Sequence, residues 1–126
     1  MKITDVQACV IGRPEAHSGG SVWTFVRIYT DEGIVGTGEC SSAGHMSGVF
    51  TVKQMVLKFR DRLIGEDPTN IGPLYEMMRR GGRYSGGTGA PAMFAITGIE
   101  NALYDIVGKS LGVPVYKLFG GKFRDK

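Results

Sequence analysis

The chain has two histidines, His17 and His45, and each lies in a polar, glycine-rich stretch. His17 runs into Ser18-Gly19-Gly20, and His45 sits within Ser41-Ser42-Ala43-Gly44-His45-Met46-Ser47-Gly48. An imidazole can act as a general base or hydrogen-bond partner near neutral pH. A loop histidine is more often simply solvated. Here the shared setting matters, because neighbouring loops at one end of a sheet can converge on a small-molecule site. A serine–histidine nucleophile would need a strand–turn–helix elbow, and none is present. The carboxylates Glu39, Glu100 and Asp105 show no metal-triad spacing. Glu100 and Asp105 sit roughly 140° apart around a helix, which makes them structural groups and not a chelating pair. Gly108-Lys109-Ser110 resembles the end of a phosphate loop, but Leu103 occupies the place of the first glycine that motif requires. Gly36-x-Gly38 lacks the third glycine of a dinucleotide fingerprint.

The elements that would carry these residues follow from periodicity. Ile3 to Ile11 reads as a strand, with Val6, Ala8 and Val10 on one face. Val22 to Thr30 is dense in β-branched and aromatic residues and is the strongest strand signal. Asp31-Glu32-Gly33 turns the chain, and Ile34 to Cys40 returns as a third strand. Gly36 and Gly38 share a face of that strand, which predicts close approach of another backbone. From Val52, the residues Met55, Val56, Phe59 and Leu63 form a helical stripe that ends at Gly65. A shorter helix begins near Asp67 to Asn70 and ends at Gly81-Gly82. A third runs from about Pro91 to Ser110, with Ile96, Ile99, Leu103, Ile106 and Val107 on its apolar stripe and Gly112 and Pro114 as its stop. Strands first and helices after give an α+β class: a three-stranded antiparallel meander followed by a helical bundle. Gly12 to Ser21, Ser41 to Gly48 and Gly81 to Ala90 are left as irregular, polar loops.

Composition narrows the function classes. The 42% hydrophobic and 21% charged fractions are those of a soluble globular domain. The net charge of +3 is modest, and the basic residues from Lys53 to Arg62 share a helix with Asp61, so a solvated face is expected and not a nucleic-acid stripe. No run approaches the roughly 18–20 apolar residues of a membrane span. The start, Met1 to Asp5, lacks the apolar stretch of a secretory leader. Cys9 and Cys40 form neither a disulfide scaffold nor a zinc motif, so two reduced thiols and a cytoplasmic location are expected.

The block Glu100-Asn101-Ala102-Leu103-Tyr104-Asp105-Ile106-Val107-Gly108-Lys109, with Gly112-Val113-Pro114-Val115-Tyr116 and Leu118-Phe119-Gly120-Gly121, closely resembles the end of one capping domain. That domain is the N-terminal one of the mandelate racemase and muconate lactonizing branch of the enolase superfamily. The Asp31-Glu32-Gly33 turn with Gly36-Thr37-Gly38-Glu39 resembles its second hairpin, and Arg79-Arg80-Gly81-Gly82 resembles a loop of acid-sugar dehydratase members. Tyr104 stands where many members carry Trp.

The resemblance implies that residues 1–119 cap a (β/α)-barrel and that residues 120–126 begin the linker to it. In the family the barrel, absent from these residues, holds Mg²⁺ on three carboxylates together with the general bases. The reaction starts with removal of the proton α to a substrate carboxylate. No catalytic residue, metal ligand or cofactor site is expected in this chain, which alone should be inactive. The matching lid positions are His17, Ser18 and Val22 in the first loop, His45 and Met46 in the second, and Arg83 and Tyr84 near the third. The histidines would meet substrate hydroxyls, and Arg83 a distal carboxylate. Polar loops favour acid-sugar dehydration over racemisation or cycloisomerisation. The expected partners are the chain's own barrel, a small carboxylate substrate and further copies in a homo-oligomer, with no nucleic acid and no membrane. The alternative is a free-standing binding or assembly module derived from the same domain.

Overall fold

The computed structural model describes residues 1–17, 20–41, 46–80 and 89–124, with backbone alone at 13–17, 20, 21, 46 and 47. Three strands, β1 (Ile3–His17), β2 (Gly20–Thr30) and β3 (Val35–Cys40), form an antiparallel sheet in the order β1-β2-β3. Three helices follow: α1 (Met46–Leu63), α2 (Ile71–Arg80) and α3 (Ala90–Leu111). A 3-10 turn over Val115–Phe119 comes last. This is the α+β meander-then-helices arrangement that the sequence predicts.

The helices cover one face of the sheet. Val6, Val26 and Ile28 from the strands meet Val52, Val56 and Leu63 of α1 and Ile96, Ile99, Leu103 and Ile106 of α3, all buried. Val107, placed on the α3 stripe by periodicity, is only half-buried. The other face of the sheet is knitted by polar and aromatic side chains. Tyr29 donates to Gln7 at 3.2 Å, and the Arg27 guanidinium lies 5.3 Å from the Tyr29 ring centre.

Where α3 crosses β3, side chains are excluded. A Cβ at Gly36 would come within 3.0 Å of the Ala102 carbonyl oxygen, and one at Gly38 would come within that distance of the Gly98 carbonyl. A Cβ at Gly98 would strike the Cys40 sulfur. The three glycines therefore form a seam along which helix and strand backbones touch, as the shared face of Gly36 and Gly38 predicts. Gly33 takes a φ of 78° in the β2–β3 turn, and Gly112 takes 65° at the end of α3, where Val113 N–H returns to the Gly108 carbonyl.

Two expectations are corrected. The stretch from Gly12 to Ser21 is not a loop throughout: β1 continues to His17 and β2 starts at Gly20. Ladder pairing needs no apolar alternation, so a run reading Gly-Arg-Pro-Glu-Ala-His gave periodicity nothing to detect. The register breaks between Gly12 and His17, and Pro14, which has no N–H to donate, falls inside that break. Helix α1 also starts earlier than Val52, at Met46, and its buried Val49 extends the apolar stripe by a turn that Gly48 disguised. In the approach to α2, Asp67 builds a turn by accepting from Thr69 N–H (2.9 Å) and Oγ1 (2.8 Å). Asn70 then offers its carbonyl to Leu74 N–H.

Candidate functional site

Strand register and helix direction place both flanks of the first two predicted loops, and the Ala90 flank of the third, at one end of the molecule. Val10 pairs with Thr24, and Thr24 with Cys40, so the tip of the β1–β2 hairpin and the exit of β3 lie together. Helix α1 runs back along β1, because Arg60 in its last turn meets Asp5 at 2.8 Å; its first turn is therefore at the hairpin end. Helix α3 runs back along β3, since Gly98 meets Cys40 while Ala102 and Ile106 meet Gly36. Its start at Ala90 belongs to the same end. Three separate connections thus reach one rim.

The individual site residues are placed unevenly. His17 closes β1, its Cα paired with Gly20, and Met46 opens α1; the side chains of both lie outside the described residues. Ser18, His45, Arg83 and Tyr84 also lie outside the described residues. Val22 is buried at 5% exposure on the core side of β2, paired with Gly12. It anchors the base of the hairpin. The described part of the rim carries two exposed apolar side chains, Ile11 and Phe50, that periodicity did not single out. Beneath it, Thr24 is fully buried, and its Oγ1 has no hydrogen-bond partner among the described residues.

The remaining reactive groups have structural roles. Burial pushes the Cys40 thiol up to about 12, aided by the Glu39 carboxylate, so it stays protonated and unreactive at neutral pH. Cys9 is exposed, and both cysteines are free. Asp105 accepts from Thr37 N–H at 2.8 Å and from Lys109 Nζ at 2.6 Å, while Lys109 also donates to the Val35 carbonyl at 2.7 Å. The pair clips α3 onto the outer edge of β3. Asp105 is therefore a hydrogen-bonded structural carboxylate, as its spacing suggested. Hydrogen bonds from Gln7 and then Arg60 hold the Asp5 carboxyl below the ordinary carboxylate range. Among the described residues no group of three or more His, Cys, Asp or Glu stands together to hold a metal ion. No described helix is long and apolar enough to cross a membrane.

The sequence model of the mandelate racemase / muconate lactonizing enzyme N-terminal domain matches residues 6–120. The chain belongs to this family. A D-galactonate dehydratase from Verminephrobacter eiseniae is 48% identical over 104 residues, which is 82% of this chain and 26% of that protein. A solved mandelate racemase/muconate lactonizing enzyme from a Sulfitobacter species is 32% identical, with a TM-score of 0.84 over 99% of this chain and 31% of its own. An enolase-superfamily member from Salmonella Typhimurium is 36% identical, with a TM-score of 0.80 over 98% of this chain and 30% of its own. This mandelate racemase/muconate lactonizing N-terminal domain thus spans about a quarter of the curated relative and less than a third of the solved chains.

Proposed function

We propose that this domain caps and closes the active site of a Mg²⁺-dependent acid-sugar dehydratase. In this reading residues 1–119 are the lid and 120–126 begin the linker to a (β/α)-barrel that holds the metal and the bases. The observation that carries the proposal is the single rim that all three lid connections reach, in a chain nearly half identical to part of a D-galactonate dehydratase. A lid excludes water and positions the distal part of the substrate, while proton transfer takes place below it. His17, Ser18, His45 and Met46 would surround the substrate hydroxyls, with Arg83 and Tyr84 at the distal end and Val22 as footing. Two free cysteines support a reducing, cytoplasmic setting, and the apolar surface near the end of α3 supports burial against the barrel or further copies. Dehydration is favoured over racemisation or cycloisomerisation by the D-galactonate dehydratase relatives.

The test is a chimera in which residues 1–126 replace the matching segment of the Verminephrobacter eiseniae enzyme, assayed with D-galactonate and Mg²⁺. Turnover is expected from the chimera and not from either part alone. His45→Ala should raise KM about tenfold with a smaller change in kcat, as loss of one substrate hydrogen bond implies. A folded chimera that binds no acid sugar, or turnover by the 126 residues alone, overturns the proposal.

A further inference from the structure

The two outer edges of the sheet are covered to different extents. On β1, Ile3 N–H donates to the Glu66 carbonyl at 2.9 Å and the Ile3 carbonyl accepts from Gly65 N–H at 2.8 Å, and among the described residues the backbone cover stops there. On β3 the outward groups include Thr37 N–H and the Val35 carbonyl, both taken by the Asp105–Lys109 clip. Since odd residues of β3 face outward, its even residues face β2, and the odd residues of β2 must face β1. Between the register breaks, from Asp5 to Ile11, odd residues of β1 therefore face β2, and Val6, Ala8 and Val10 turn their backbone groups outward. Val6 N–H is taken by the Asp5 carboxylate at 2.8 Å. The outward groups of Ala8 and Val10 have no partner among the described residues.

Alongside this edge runs α1. An open groove of about 430 Å³ separates the two, lined by residues 5–9 of β1 and by Lys53, Leu57 and Arg60 of α1. A groove between an unpaired strand edge and a helix is the shape that receives an extended peptide as an added strand. Its charges identify the guest. Arg60 is committed to Asp5, while Lys53 has no ion-pair partner among the described residues. Lys53 lies about 10 Å up the helix from Arg60, roughly three strand residues, which sets it level with Ala8. A second copy of β1 paired antiparallel about Ala8 would bring two Lys53 ammonium groups face to face, so the copy is the poorer occupant.

We infer that the β1–α1 groove binds an extended peptide segment that pairs with the backbone of Ala8 and Val10 and places a carboxylate on Lys53. This binding role is separate from lid closure and needs no barrel. The experiment is selection of random decapeptides displayed on phage against the 126-residue chain, followed by calorimetry with the enriched sequences. Enriched peptides are expected to alternate β-branched or aromatic residues with an Asp or Glu. Lys53→Glu should weaken them about tenfold, as loss of one charge-assisted hydrogen bond implies. Ala8→Pro removes an outward N–H at a position where an edge strand tolerates proline, and should abolish binding. If that variant does not fold, Lys53→Glu with an unchanged circular dichroism spectrum carries the test. The inference fails if no peptide is enriched, if enriched peptides bind Lys53→Glu equally well, or if the groove is instead filled by a β1-paired dimer in sedimentation.

Discussion

At the residue scale, Thr24 is the side chain most at odds with its surroundings. Its hydroxyl is fully buried with no hydrogen-bond partner among the described residues, a situation that costs about 1–3 kcal/mol. Thr24→Val keeps the shape and removes the orphan, so the variant should be more stable by about 1 kcal/mol in urea denaturation. A loss of stability would show that the hydroxyl is bonded after all. The signal for this residue was present in the sequence, because Val22, Thr24, Val26 and Ile28 alternate on one face and Thr is the polar member of the set. His17 and His45 were picked out by residue type and setting, and the flanks of their segments do lie at one end. Ile11 and Phe50 were not legible as rim residues, since an exposed apolar side chain carries no periodic mark of its own.

At the element scale, the glycine seam fixes where α3 lies on β3. Gly38→Ala would drive a methyl group into the Gly98 backbone, which has nowhere to yield, and should cost about 3 kcal/mol or more. Gly112→Ala meets no atom within 4 Å and pays only for a left-handed backbone, about 1–2 kcal/mol. Chemical denaturation of the two variants compares them directly, and a Gly38→Ala variant no worse than Gly112→Ala would rule out the seam. The seam was legible because two glycines at period two leave one face of a strand bare. The far half of the hairpin was not, because its pairing is made by backbone groups that every residue possesses. The true start of α1 was hidden for a similar reason: Gly48 and its polar neighbours read as a loop, and only the burial of Val49 shows the extra turn.

At the scale of the whole molecule, apolar surface gathers where the chain leaves α3. Leu111 (63% exposed), Tyr116 (44%), Phe119 (59%) and Phe123 (96%) stand open to solvent, with Phe119 partly held 4.5 Å from the Tyr104 ring. A patch of this kind marks a surface that another body covers. The purified chain should therefore bind a hydrophobic dye or self-associate in light scattering, and Leu111→Ser with Phe123→Ser should suppress both without altering the circular dichroism spectrum. A monodisperse chain that binds no dye would remove the basis for a covered face. The Asp105–Lys109 clip has a different consequence, one of valence. A sheet grows without limit only if each added unit offers a fresh edge to the next. Here one edge is terminated by the helix packed behind it, so at most a single edge can accept a strand. Strand addition is thereby confined to one side of the sheet, and a ribbon of sheets joined edge to edge cannot propagate through it.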